Sequence, residues 1–239
     1  REVGTPVYVY SRATLTRHAQ VFREALSALP KVHIAFAVKS NPNLAVLRLL
    51  AKEGYGADVV SEGEMNRALK AGMPAADIVF SGVGKISTGK AENKFGVPYD
   101  MAAGIYTRLS ALPGLEMRGL AVHIGSQIGD LDPSRQAFIK MGELMRALRD
   151  QGLSVTHMDF GGGLGVPYKA GEQLPTPADY GAMVADVTQG WDVTLMFEPG
   201  RVITGNSGVL VTEVVRVKQG AGHPWVVVDA AMNDLARPA

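Results

Sequence analysis

Hydrophobic and polar positions along this chain fall into blocks of two kinds. Short runs rich in apolar and β-branched residues are each followed by a longer stretch with helical spacing. Residues 34–38 read as a buried strand, and residues 43–53 (NLAVLRLLAKE) as an amphipathic helix. Residues 57–60 are the next strand, residues 62–71 (EGEMNRALKA) its helix, and Gly72 the stop. A strand at 77–81 (DIVFS) follows. After a break come strand 119–123 (GLAVH), helix 134–151, strand 156–160 (THMDF), helix 177–188 and strand 194–197 (TLMF). Strands alternating with helices predict a parallel sheet, either doubly wound or closed into a barrel.

The polar residues favour the barrel. Lys39, Asp58, Ser81, His123, Gly161 to Gly163 and Glu198 all fall at or just past the C-terminal end of a strand. A (β/α)8 TIM-type barrel draws its site from many consecutive strand ends, whereas an open sheet concentrates it at one switch point. The count, however, stops at six strands where a closed barrel has eight. The stretch 81–96 (SGVGKISTGKAENKFG) has no strand pattern, and its character changes abruptly between Lys85 and Ile86. Two βα units of about 30 residues each would fit at that junction. The expectation is therefore a barrel lacking two units between Lys85 and Ile86. A natural deletion or a six-stranded variant is the plainer alternative, at odds with the raw edge that an unclosed parallel sheet exposes.

Other segments carry strand patterns without helices between them. Residues 5–10 (TPVYVY) alternate, and residues 208–218 (GVLVTEVVRVK) and 225–229 (WVVVD) are β-rich. The division expected is a barrel over residues 11–205, with residues 1–10 and 206–239 as pieces of an incomplete antiparallel β domain.

Composition changes this picture little. Of 239 residues, 46% are apolar and 20% charged, with a net charge of +1. That balance offers no dedicated surface for nucleic acid or an anionic membrane. No apolar run approaches the roughly 20 residues that span a bilayer. The absence of cysteine removes disulfide frameworks and Cys-based zinc sites, and suits a cytoplasmic location. An opening arginine in place of methionine leaves a targeting peptide an open question.

Each candidate residue has an ordinary reading beside its chemical one. Lys39 closes an otherwise apolar run, where an amine is costly unless engaged, yet it could equally snorkel into solvent. Gly161-Gly162-Gly163 could close backbone N–H groups around an anion, or simply make a tight turn. Glu198, on an apolar strand end, needs a cationic partner to stay ionised; a protonated pyridine nitrogen or the nearby Arg201 would both serve. His123 could stack on a flat cofactor or be a satisfied structural histidine. Asp58 and Glu64 could be ordinary charge placement near a helix start, and His33 and His157 have no chemical context. Together the first four make a coherent set: an amine, a phosphate cradle, a pyridinium partner and a ring stacker. No metal-ligand spacing or Ser/His/Asp set competes with it.

At these residues the chain resembles the fold-type III pyridoxal-phosphate decarboxylases, and within them the diaminopimelate decarboxylase branch. The resemblance runs from Thr5-Pro6-Val7-Tyr8-Val9-Tyr10 to Arg237-Pro238-Ala239. Its most discriminating stretches are Phe36-Ala37-Val38-Lys39-Ser40-Asn41, Glu92-Asn93-Lys94-Phe95-Gly96, His123-Ile124-Gly125-Ser126-Gln127-Ile128, Gly161 to Gly163, Glu198-Pro199-Gly200-Arg201 and Met232-Asn233-Asp234-Leu235. The lysine, glycine-rich and Glu-Pro-Gly-Arg motifs are shared with ornithine and arginine decarboxylases, while the HIGSQI and MNDLARPA stretches look like the diaminopimelate branch.

The resemblance implies that pyridoxal 5'-phosphate is held on Lys39 as a Schiff base. It implies that His123 stacks on the ring, that Asp58 lies near it, and that Ser126 with Gly161, Gly162 and Gly163 binds the phosphate. Glu198 would face the pyridine nitrogen, with Pro199 and Gly200 beside it. Arg201 and Arg237 would take the substrate carboxylate that is not lost. The reaction implied is decarboxylation of meso-2,6-diaminopimelate to L-lysine and CO2, in a homodimer with active sites at the interface. Alternatives are a decarboxylase of another basic amino acid, a non-catalytic homologue that binds the cofactor, or a barrel for phosphorylated metabolites. Two departures stand out. The family's Arg-Val-Asn-Pro strand before the ENKFG stretch is absent, at the junction where the strand count fails. The family's catalytic Cys and a Tyr belong to a C-terminal domain beyond Ala239, so the proton donor is not expected among these residues and the 239 alone are not expected to be active.

Overall fold

Capping chemistry sets the element boundaries, and the computed structural model describes residues 2–81, 86–87 and 96–235. The chain opens with β1 (Val7–Tyr10) and α1 (Arg12–Ala25). It continues with β2 (Val32–Ala37), α2 (Leu44–Lys52), β3 (Gly56–Val59), α3 (Glu62–Ala71) and β4 (Ile78–Phe80). Two short strands, β5 (Ile86–Ser87) and β6 (Val97–Pro98), pair in parallel before α4 (Tyr99–Ser110). Then come β7 (Gly119–Ala121), α5 (Asp132–Asp150), β8 (His157–Asp159), α6 (Pro177–Val187), β9 (Thr194–Phe197) and the single-turn α7 (Arg201–Thr204). The remaining strands are β10 (Gly208–Val211), β11 (Val214–Lys218) and β12 (Trp225–Val228).

Helix α3 shows how sequence fixes a boundary. Ser61 caps it by accepting the Glu64 N–H, and Gly72 ends it in the left-handed conformation at φ 92°. Helix α6 starts on a capping box in which Thr176 and Asp179 satisfy each other's backbone N–H groups. The strand ends are less legible. β2 stops at Ala37, and residues Val38–Ser40 turn into a single 3-10 helix, so Lys39 lies past the strand. β7 stops at Ala121, two residues short of His123. The expectation of no strand within 81–96 is corrected by β5, a two-residue strand at Ile86–Ser87. Helices α1 and α4 also go beyond the pattern reading.

Six strands form one parallel sheet in the order β4-β3-β2-β9-β8-β7. Neighbours in that order are successive in the chain, except that the last strand, β9, closes onto the first, β2. This is the circular order of a barrel, cut once, between β4 and β7. A doubly wound sheet would instead start in the middle and reverse. The helices follow the same circle, with α3 against α2, α2 against α1, α1 against α6, α6 against α5 and α5 against α4. The sheet is curled as well. Ser81 past β4 and Glu198 past β9 sit three strands apart, about 14 Å in a flat sheet at usual strand spacing. Their side chains nevertheless meet at 2.8 Å. The sheet is a half-barrel with these strand ends on its concave face.

The core fills the space between sheet and helices. Phe138 of α5 stacks on Phe160 at 3.9 Å between centroids, and Phe197, Tyr180 and Phe22 pack edge-on or offset around them. This aromatic layer lies directly beneath Gly161 and Glu198, which follow Phe160 and Phe197 in the chain. Burial pushes the Tyr180 phenol well above its usual range, so it stays neutral. Outside the half-barrel, β1 pairs antiparallel with β10, and β11 with β12, their residues largely exposed. Among the described residues, no helix is long and apolar enough to cross a membrane.

Candidate active site

Lys39 is carried at the mouth of the half-barrel by the turn that follows β2. Its Nζ stands 3.8 Å from Oδ2 of Asp58 on neighbouring β3. The lysine side chain is 58% exposed and the aspartate side chain fully buried. An accessible amine over a buried carboxylate differs from a lysine snorkelling away from the protein. The pairing follows from register, since Ala37 lies opposite Asp58 in the β2–β3 ladder. Glu64, by contrast, is structural: its carboxylate accepts the Val60 N–H at 2.8 Å at the start of α3.

Glu198 is buried at the end of β9. Its Oε1 accepts from Ser81 Oγ at 2.8 Å, a bond that crosses the mouth above β2 and β3. Its backbone N–H donates to Gly161 O, and Pro199 O accepts from Ala37 N. Gly200 is held against Ser40, so closely that a Cβ would lie 2.0 Å from Ser40 Oγ. The Lys39 turn, the Glu-Pro-Gly segment and the glycine loop are thus one bonded unit.

The glycine loop is shaped by close approach of backbones. A Cβ on Gly162 would meet Glu198 O at 2.2 Å, and one on Gly163 would meet Gly125 O at 2.2 Å. Gly161 and Gly163 also have φ of 65° and 115°. Gly161 donates its N–H to Asp159 Oδ1 at 2.7 Å. Gly162 N–H points at His123 Nδ1 at 3.4 Å, bringing the exposed histidine to this loop. Ile128 N donates to Gly163 O, and Gly165 N to Ile128 O, so the segment holding Ser126 lies alongside.

The sequence candidates Lys39, Asp58, His123, Gly161, Gly162, Gly163, Glu198, Pro199 and Gly200 therefore meet at one mouth, with Ser126 on an exposed turn beside it. Arg201, the next residue, is exposed; its Nη1 donates to Gln127 Oε1 at 3.3 Å, and its guanidinium lies 5.9 Å from the Tyr168 ring centroid. Arg237 lies outside the described residues, as does most of the Glu92 to Gly96 motif. His33 and His157 belong to the opposite, N-terminal half of their strands. Sequence reasoning gave no role to Ser81 or Gln127. A hydroxyl ending an apolar strand was the only signal for Ser81. Among the described residues, no group of three or more His, Cys, Asp or Glu is placed to hold a metal.

A carboxylate buried at 5% exposure, an accessible amine and a glycine-walled recess form a donor set suited to a phosphorylated, cationic-ring aldehyde. The family profile of the pyridoxal-dependent decarboxylase pyridoxal-binding domain matches residues 12–87 and 83–205. The diaminopimelate decarboxylase of Zymomonas mobilis is 40% identical over 295 positions, covering 99% of this chain and 70% of that protein. The Pseudomonas aeruginosa enzyme of the same name is 38% identical, with the same coverage. The crystal structure of diaminopimelate decarboxylase from Helicobacter pylori, complexed with L-lysine, superposes with a TM-score of 0.91 at 34% identity. It covers 98% of this chain and 72% of that one.

Proposed function

The chain belongs to the pyridoxal-dependent decarboxylases, and from that premise we propose that its half-barrel mouth is the site where meso-2,6-diaminopimelate loses one carboxylate to give L-lysine and CO2. The observation that carries this reading is Glu198: a buried carboxylate fixed from across the barrel by Ser81. Pyridoxal phosphate, when bound, supplies an aldehyde that captures amines and a ring that takes up the electron pair left by departing CO2.

The residues divide the remaining work. Lys39 offers the amine that anchors the cofactor, and Asp58 keeps that amine over the mouth. Glu198 presents negative charge to a ring nitrogen and so favours its protonated, electron-accepting form. Ser81 orients the glutamate. His123, Ser126 and the loop from Gly161 to Gly163 wall the recess. With its N–H engaged by Asp159, Gly161 contributes shape to the loop, and the phosphate contact falls to the rest of the recess, Ser126 included. Arg201, with Arg237, takes the carboxylate that stays, a task suited to a planar guanidinium. Loss of CO2 breaks one C–C bond, and a proton on the α-carbon completes the product.

Two structural proposals accompany this reading. The sheet order is cut between β4 and β7, the family profile matches in two pieces that meet at 83–87, and the aligned span of 295 positions exceeds the 239 residues of this chain. These support a barrel that lacks two βα units at the Lys85–Ile86 junction. The β1–β10 pair and the β11–β12 hairpin fit a second, antiparallel β domain flanking residues 11–205, and a homodimer is the proposed assembly.

The experiment is a product assay on the full-length enzyme. Equal amounts of L-lysine and CO2 from meso-diaminopimelate, with no CO2 from ornithine or arginine, are expected. Release of CO2 from ornithine or arginine at comparable kcat/KM would move the protein to another branch of the family.

A further inference from the structure

Only two non-glycine residues among those described have positive φ, Gln127 at 58° and Asn206 at 60°. Both hold the same short segment, the loop leaving the glycine turn. Gln127 Nε2 donates to Val166 O at 2.6 Å, and its Oε1 accepts the Val166 N–H at 3.2 Å. Asn206 Nδ2 donates to Pro167 O at 2.9 Å. A left-handed backbone suits glycine and tolerates asparagine, whereas glutamine gains nothing locally from it. Glycine would fit the main chain at 127 better, so what this position uses is the amide side chain.

The same Oε1 also receives Arg201 Nη1 at 3.3 Å. Tyr168, two residues beyond the clamped Val166, sets its ring 5.9 Å from the Arg201 guanidinium. The two described partners of that guanidinium are thus a neutral amide oxygen and an aromatic face. Each positions a cation without cancelling its charge, as a carboxylate partner would. Such a guanidinium is oriented yet still electrostatically available to an incoming anion.

We propose that Gln127 is a positioning residue for substrate choice: it fixes Arg201 so that the fork meets the carboxylate retained at the far end of the substrate. This rests on the reading that Arg201 binds that carboxylate. The ligand class is an amino acid with a second carboxylate, and Gln127 acts only through the arginine.

The test is a double-mutant cycle in the full-length, cofactor-loaded enzyme, with kcat and KM for meso-diaminopimelate and the inhibition constant of L-lysine as readouts. Gln127→Ala is expected to raise KM and weaken lysine inhibition by about tenfold, as for loss of one hydrogen bond to a charged group, with kcat little changed. Gln127→Glu keeps an acceptor for Val166 but neutralises the guanidinium, and should raise KM further. Arg201→Ala should raise KM most, and the double variant Gln127→Ala/Arg201→Ala should be no worse than Arg201→Ala alone. If Arg201→Ala raises KM while Gln127→Ala and Gln127→Glu do not, the positioning role falls and the arginine's role stands. Additive effects, or a fall in kcat at constant KM, overturn it equally. If Arg201→Ala leaves KM unchanged, the carboxylate reading fails and the proposal with it.

Discussion

One buried carboxylate carries the proposed function. Glu198 is buried at a strand end, an expensive place for a charge unless donors and a cation face it. Replacing it with glutamine keeps its size and removes the charge. The cofactor should still bind, but kcat should fall by roughly 100-fold to 1000-fold, as when a preorganised electrostatic group is removed. Ser81→Ala should cost about tenfold in kcat, the worth of a hydrogen bond to a charged group. A kcat for Glu198→Gln within a fewfold of the parent would remove the glutamate from its assigned role, and steady-state assays with a cofactor absorbance spectrum read both changes. The gathering of Lys39, His123 and Glu198 at one mouth was legible from residue types at or just past strand ends. Their partners were not, because Ser81 lies 117 positions from Glu198 in the chain and only the curl of the sheet brings them together.

At the scale of single elements, caps and titrating groups make the predictions. Thr176→Ala removes the hydroxyl half of the α6 capping box, leaving the residue-176 N–H on the Asp179 carboxylate, and should destabilise the fold by about 1 kcal/mol, read by urea melting. An unchanged midpoint would mean the helix start is held elsewhere. His157, at the start of β8, has its pKa lowered from 6.5, first by desolvation and then by the charges of Arg118 and His33. The folded protein therefore binds this proton more weakly than the unfolded chain, and stability rises with pH where the unfolded state holds more protons. Its contribution is whole above about pH 6.5 and drains as pH falls below that value. His157→Gln should flatten that part of the thermal-melting profile, and an identical decline in the variant would exclude the histidine as its source. Elements with such local signals were the legible ones: residues 62–71 and 194–197 were read to the residue because Gly72 stops one and three apolar residues in a row mark the other. Helix α1 escaped notice although Leu15, Ala19, Phe22 and Leu26 share one buried face, because arginine and histidine interrupt that stripe. Helix α4 has Pro98 before it and no side-chain cap.

For the whole molecule, alternation and the polar residues at strand ends made the parallel sheet, and the face on which those residues gather, readable. The circular strand order is a matter of pairing between β2 and β9, some 160 residues apart, and no local pattern encodes it. That order also locates the break. β4 ends in Phe80, 64% exposed, at one lip of the half-barrel, and β7 forms the other. Raw parallel edges invite aggregation. Inserting the matching segment of a relative between Lys85 and Ile86 should raise the thermal midpoint and suppress self-association in sedimentation runs. No change in either would argue that the six-stranded form is self-sufficient.

The central claim is that this mouth binds pyridoxal phosphate through Lys39. Incubating the purified protein with pyridoxal phosphate, reducing it with borohydride and mapping the modified peptide by mass spectrometry tests it most directly. The structure predicts a single pyridoxyl group on the Lys39 peptide, lost in Lys39→Ala along with the visible absorbance. Label scattered over surface lysines, or an unmodified Lys39, would contradict it.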